Sequence, residues 1–130
     1  MIVLDSSAAV DYLLDRAEGP WVAERLLEDT DLHSPHLVDL EVASALRGLV
    51  RRRELADGEA LQALLAFREF AVVRYPHTVL VARIWELRTH VTTYDAAYVA
   101  LAEELGATLV TTDLRLARAH GHRARIVAPE

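Results

Sequence analysis

Short runs of strand-forming residues recur between segments of helical periodicity, and this alternation constrains the fold of the chain more than any other feature. Ile2-Val3-Leu4, Leu32-His33-Ser34, Ala71 to Tyr75, Ala107 to Thr112 and Arg125-Ile126-Val127 read as strands. Pro35 and Pro76 stop the second and third. Strands that are brief and mostly apolar, with helices between them, indicate a parallel sheet covered on both faces. In such sheets ligands gather beyond the carboxyl ends of the strands.

The helices follow from spacing and from caps. One is expected over about residues 6–16, capped by Ser6 or Ser7, and a second opens at Gly19-Pro20 and runs to about 29, with Val22, Leu26 and Leu27 on one face. A long helix over about 36–53 carries Leu37, Leu40, Ala43, Leu46 and Val50 at helical spacing. Further helices are expected over about 58–69, from a Thr78 cap to about His90, over about 94–105 after a Thr93 cap, and over about 114–120. Gly106 stands as the C′ residue of the penultimate one. No linker or repeat interrupts residues 1–130, which read as a single domain.

Composition excludes several chemistries. There is no cysteine, which removes disulfides, thiolate nucleophiles and sulfur-based zinc sites. The opening MIVLD carries no targeting segment and no apolar run reaches a membrane span, so a soluble, cytoplasmic protein is expected. The six histidines show no paired metal-ligand spacing, and nucleotide-binding glycine motifs and Gly-x-Ser-x-Gly are absent. A net charge of −6 argues against coating nucleic acid by bulk electrostatics. All fourteen basic residues are nonetheless arginine, the side chain whose fork suits phosphate.

Four carboxylates attract attention because of where they fall. Asp5 closes the first strand, Asp113 closes the fourth, and Asp95 lies in the first turn of a helix. Capping or the helix dipole accounts for each taken alone. Glu41 sits well inside a helix where no capping role exists, and its semi-buried surroundings call for a cation partner. The other helix acids, including Asp39 and Glu103, read as solvated faces, and Trp21 and Trp85 read as packing residues. Acids converging from remote positions are what a divalent-metal phosphodiesterase requires.

Four segments carry a family likeness: Ile2 to Ala8, Leu40 to Leu46, Tyr94 to Ala102, and Leu109 to Leu116. In this order and spacing the chain resembles PIN-domain ribonucleases, and within them the toxins of VapBC-type toxin–antitoxin pairs. The resemblance implies a three-layer α/β/α sandwich around a mostly parallel, short-stranded sheet. It implies Mg2+ or Mn2+ at the acids matching Asp5, Glu41, Asp95 and Asp113, with Ser7 and Thr111 as helpers, and endonucleolytic cleavage of RNA. A homodimer and a small antitoxin are implied as well, the amphipathic segments 22–28 and 37–50 offering a groove for a partner helix. Leu114 and Arg115 stand where some members place additional acids. Two other readings remain open here, a metal-binding interaction module without turnover and a nuclease acting on DNA.

Overall fold

The computed structural model describes all 130 residues. Five strands, β1 (Ile2–Leu4), β2 (Leu32–Pro35), β3 (Val72–Tyr75), β4 (Thr108–Val110) and β5 (Arg125–Val127), form one sheet in the order β3-β2-β1-β4-β5. Every pairing is parallel, with Ile2 beside both Leu32 and Thr108 and Pro35 beside Tyr75. The expectation of a mostly parallel sheet thus becomes a wholly parallel one. β1 is fully buried, whereas the edge strands carry Arg74 and Arg125, where water can reach one side.

The helices are α1 (Ser6–Leu13), α2 (Gly19–Glu28), α3 (Val38–Arg51), α4 (Asp57–Arg68), α5 (Val81–Glu86), α6 (Thr93–Leu105) and α7 (Leu114–Ala117). Strand order and crossover handedness distribute them. The connections β1 to β2 to β3 step one way along the sheet, and those from β3 to β4 to β5 step the other way. Because parallel crossovers are right-handed, the two sets of helices fall on opposite faces. That gives the three layers, α1 to α4 on one side and α5 to α7 on the other. α6 lies against β1, β2 and β4, and its segment Ala96 to Ala102 is buried throughout.

Several boundaries and faces differ from the sequence expectation, each for a local reason. α1 stops at Leu13 because the following turn places Asp15 at φ 50, and neither Ser6 nor Ser7 caps it. In α3 the buried stripe is Val38, Val42, Leu46 and Leu49, so Leu40 is 75% exposed. Leu27 likewise points outward from α2 while Val22 is buried. The segment from Thr78 begins as a 3-10 turn, Thr78–Leu80, and its α-helical part ends at Glu86. α6 is capped by Thr92, not Thr93: the Thr92 hydroxyl accepts from the Asp95 amide at 3.2 Å. Gly106 ends α6 at φ 64, as expected.

Two acids expected on solvated faces are ion-paired. Asp39 receives Arg74 at 2.7 and 2.8 Å, which ties α3 to edge strand β3. Glu103, 5% exposed in its side chain, receives Arg83 at 2.9 and 3.0 Å and the Arg123 amide at 3.0 Å. Burial pulls its carboxyl upward, but these donors outweigh it and hold Glu103 below its ordinary value. Trp85 is 64% exposed, so it is not a core residue. In the turn at Gly121 a Cβ would stand 2.4 Å from the His90 ring, and φ is 81, so glycine is required there.

Candidate active site

The chain reverses its direction of travel along the sheet at β1 and β4, and a crevice opens beyond the carboxyl ends of these adjacent strands. Asp5 follows β1 directly. Its amide donates to the Val110 carbonyl at 3.1 Å, which locks the two strand ends together. Residues Thr111 to Asp113 continue β4 into α7, and the Thr112 amide donates to Ser7 Oγ at 3.1 Å.

Asp5 is 3% exposed. One of its oxygens, Oδ2, accepts from the Ser7 hydroxyl and the Thr111 hydroxyl, each at 2.6 Å. Thr111 is itself fully buried, and its Oγ1 also accepts the Asp113 amide at 3.0 Å. Two hydroxyls from two distant segments therefore fix one carboxylate rotamer. Asp5 occupies the N-cap position of α1 without a capping hydrogen bond, so its side chain is given over to the crevice.

Glu41 reaches the same crevice from α3. Tyr98, fully buried on α6, donates its hydroxyl to Glu41 Oε1 at 2.7 Å, and Ser6 donates to the same oxygen at 3.4 Å. The cation expected beside Glu41 is not there; two neutral hydroxyls take its place. Tyr98 was not singled out from sequence, although the aspartate at position 95 three residues earlier on the same helix face was the available clue. Asp95 stands in the first turn of α6. Asp113 caps α7, its Oδ1 accepting from the amides of Arg115 and Leu116 at 2.9 and 3.4 Å.

The carboxyls of Asp5, Glu41 and Asp95 are all raised above ordinary carboxylate values. Burial is the largest cause in each, and mutual repulsion adds to it: Asp113 acts on Asp5, Asp5 and Asp95 on Glu41, and Asp5 and Asp113 on Asp95. Burial and the nearby Asp5 and Glu41 likewise push the Tyr98 hydroxyl far up, so it remains a donor. Arg115, 3.9 Å from Asp113, is the one cation in salt-bridge range of any of the four acids. The structure thus brings all four sequence-predicted acids into one electrostatic unit, together with Ser7 and Thr111.

No three of these side chains stand close enough to enclose an ion by themselves. That is compatible with Mg2+, which keeps several waters and takes one or two carboxylates directly. An acid cluster with oxygen donors only and almost no compensating cation fits a hard divalent ion, and does not fit one that needs nitrogen or sulfur.

Comparison with known proteins agrees in sequence and in architecture. The PIN domain family model matches residues 2–121. Ribonuclease VapC9 of Mycobacterium tuberculosis is 49% identical over 116 residues, 89% of this chain and 88% of that protein. The crystal structure of PAE2754 from Pyrobaculum aerophilum superposes with a TM-score of 0.70 at 27% identity, covering 96% of this chain and 81% of the other. VapBC2 from Rickettsia felis, bound to a DNA fragment from its promoter, shares the fold with a TM-score of 0.69 at 16% identity, over 98% of each chain. A family model spanning nearly the whole chain and a relative of such identity leave one assignment: the protein belongs to the PIN-domain family and, within it, to the VapC group.

Proposed function

We propose that the protein is a Mg2+- or Mn2+-dependent endoribonuclease and the toxin of a toxin–antitoxin pair. The observation that carries this reading is the convergence of Asp5, Glu41, Asp95 and Asp113 with scarcely any cation to offset them. The 49% identity to a protein named a ribonuclease supports RNA as the substrate. Asp5, Glu41, Asp95 and Asp113 would hold the metal, directly or through its waters. Such an ion supplies positive charge against the phosphate and lowers the pKa of water toward neutrality.

The chain's own groups have defined tasks. Ser7 and Thr111 occupy Asp5 Oδ2, leaving Oδ1 for other partners. Tyr98 and Ser6 do the same at Glu41 Oε1, leaving Oε2. Both carboxylates are held in fixed orientations before any ligand arrives, as preorganised catalysis requires. In-line displacement of the 3′ oxygen by water would leave 5′-phosphate and 3′-hydroxyl ends.

The same reading includes an antitoxin, in keeping with the VapBC2 complex named above, and a homodimer, as the family resemblance implies. Of the segments 22–28 and 37–50 expected to offer a groove, α2 and α3 both pack against α1, and Leu27 and Leu40 remain exposed on them. An apolar cleft lies between α3 and α4, lined by Leu46, Val50, Leu61 and Leu64.

Labelled RNA and DNA incubated in parallel with Mg2+, Mn2+ or EDTA provide the test. RNA should be cut with either metal and left intact in EDTA. Asp5→Asn or Asp95→Asn should lose cleavage while the circular dichroism spectrum is retained. Full activity in either purified variant would overturn the assignment, and cleavage of DNA alone would move the substrate.

A further inference from the structure

Two clefts adjoin the acid crevice from opposite sides, and each shares residues with it. The first, about 490 Å3, runs from Ser6, Ser7 and Glu41 between α1 and α3 to Arg16 and Arg52. The second, about 400 Å3, holds Asp95 and is rimmed by Arg88, His90 and Arg115. With Glu41 and Asp95 set aside for the metal, the first cleft has two arginines against Asp11, and the second has two arginines and no further acid.

These arginines differ from those that hold the fold together. Arg74 and Arg83 are gripped by carboxylates at 2.7 and 2.9 Å. The cleft arginines have acids only at 3.4 Å (Arg52), 3.7 Å (Arg16) and 3.9 Å (Arg115), and Arg88 has none. Their charge is available to an anion.

Two are nevertheless positioned. The Arg88 guanidinium lies 4.3 Å from the centroid of the exposed Trp85 ring and donates to the Trp85 carbonyl at 2.8 Å, so its charge stays at the rim. Arg52 folds back over α3 at Gly48, where an added Cβ would sit 3.1 Å from its Nη1. Gly48 leaves open the space beside that guanidinium.

We propose that single-stranded RNA crosses the acid crevice in one continuous track, its phosphates held on one side by Arg16 and Arg52 and on the other by Arg88 and Arg115. This rests on the ribonuclease reading. The arrangement reconciles an acidic protein with a polyanionic ligand: attraction is confined to two stations flanking the reacting bond, so a chain engaging both must pass the acids between them. Arginine forks suit such stations, and single strands suit clefts too shallow to read a duplex.

The test measures binding and cleavage separately. Binding of a labelled single-stranded RNA of about 12 nucleotides to the Asp5→Asn protein is followed by fluorescence anisotropy as a function of salt. Arg16→Ala, Arg52→Ala, Arg88→Ala and Arg115→Ala should each weaken binding about 3- to 10-fold. Each should also lower the salt slope by about 0.7, as for one phosphate on a single strand. Arg68→Ala, an exposed charge outside both clefts, should do neither.

The track is wrong if the four variants behave like Arg68→Ala, or if only one cleft matters. It is equally wrong if they leave RNA affinity intact while releasing a glutamate-rich decapeptide, which would give the clefts to an acidic protein tail. Failure of the ribonuclease reading appears separately, as wild-type protein that leaves RNA uncut with either metal while the arginine dependence persists.

Discussion

At the scale of single residues the site is a matter of oxygen atoms already spoken for. Asp5 and Glu41 each give one oxygen to hydroxyl donors and keep the other. Tyr98→Phe separates this positioning from packing, since it removes one hydroxyl and leaves the buried ring. Loss of an outer partner of this kind lowers metal affinity about 10- to 100-fold. Calorimetric titration with Mn2+ should find that loss. The accompanying loss of unfolding free energy should be about 1.5 to 3 kcal/mol, the worth of a hydrogen bond to a charged group. Unchanged Mn2+ affinity would reduce Tyr98 to a core residue.

Among the secondary-structure elements, α6 carries both Asp95 and Tyr98 on one helix buried against the sheet. Its entry depends on the Thr92 cap. Thr92→Ala should cost about 1 kcal/mol, read as a lower urea midpoint with an unchanged slope. The elements themselves were legible in sequence: all five strands and the helix order follow from apolar runs and turn residues, and Gly106 marked its own terminus.

What escaped was contact across the fold. Leu40 fits a helical stripe as well as Val42 does, and only the packing of α3 decides which of them is buried. Glu103 looks solvated until Arg83 and Arg123, from remote segments, close over it. Asp5, Asp95 and Asp113 were identifiable because strand ends and helix starts are local signals, and Glu41 because an acid inside a helix had no cap to serve. Tyr98, Ser6 and the arginine clefts depend on neighbours tens of residues away, so spacing along the chain could not assign their roles.

Over the whole molecule the site works against the stability of the fold. Asp5, Glu41 and Asp95 have folded-state values above the ordinary 3.8, 4.5 and 3.8, so the native state binds more protons than the unfolded one across that window. Holding these carboxyls ionised is therefore destabilising, and that penalty is relieved as pH falls through the raised values. Glu103 has the opposite sign: its depressed carboxyl stabilises at neutral pH, and that contribution is lost only as pH falls below 4.5 toward its folded value. The metal-free protein should thus melt at a higher temperature in mildly acidic buffer than at neutral pH. Mn2+ should raise the neutral melting temperature, and Asp95→Asn should raise it without metal. Scanning calorimetry across pH checks all three, and a melting temperature that falls steadily on mild acidification would contradict them.

The central position of β1 has a further consequence for synthesis. β1 is made before β4, the strand that completes its flank, and Asp5 must wait for Thr111 before its carboxylate is fixed. A nascent chain thus holds Asp5, Glu41 and Asp95 while lacking the segment that carries Thr111 and Asp113. The acid cluster therefore takes its final form only late in synthesis, when Thr111 reaches Asp5.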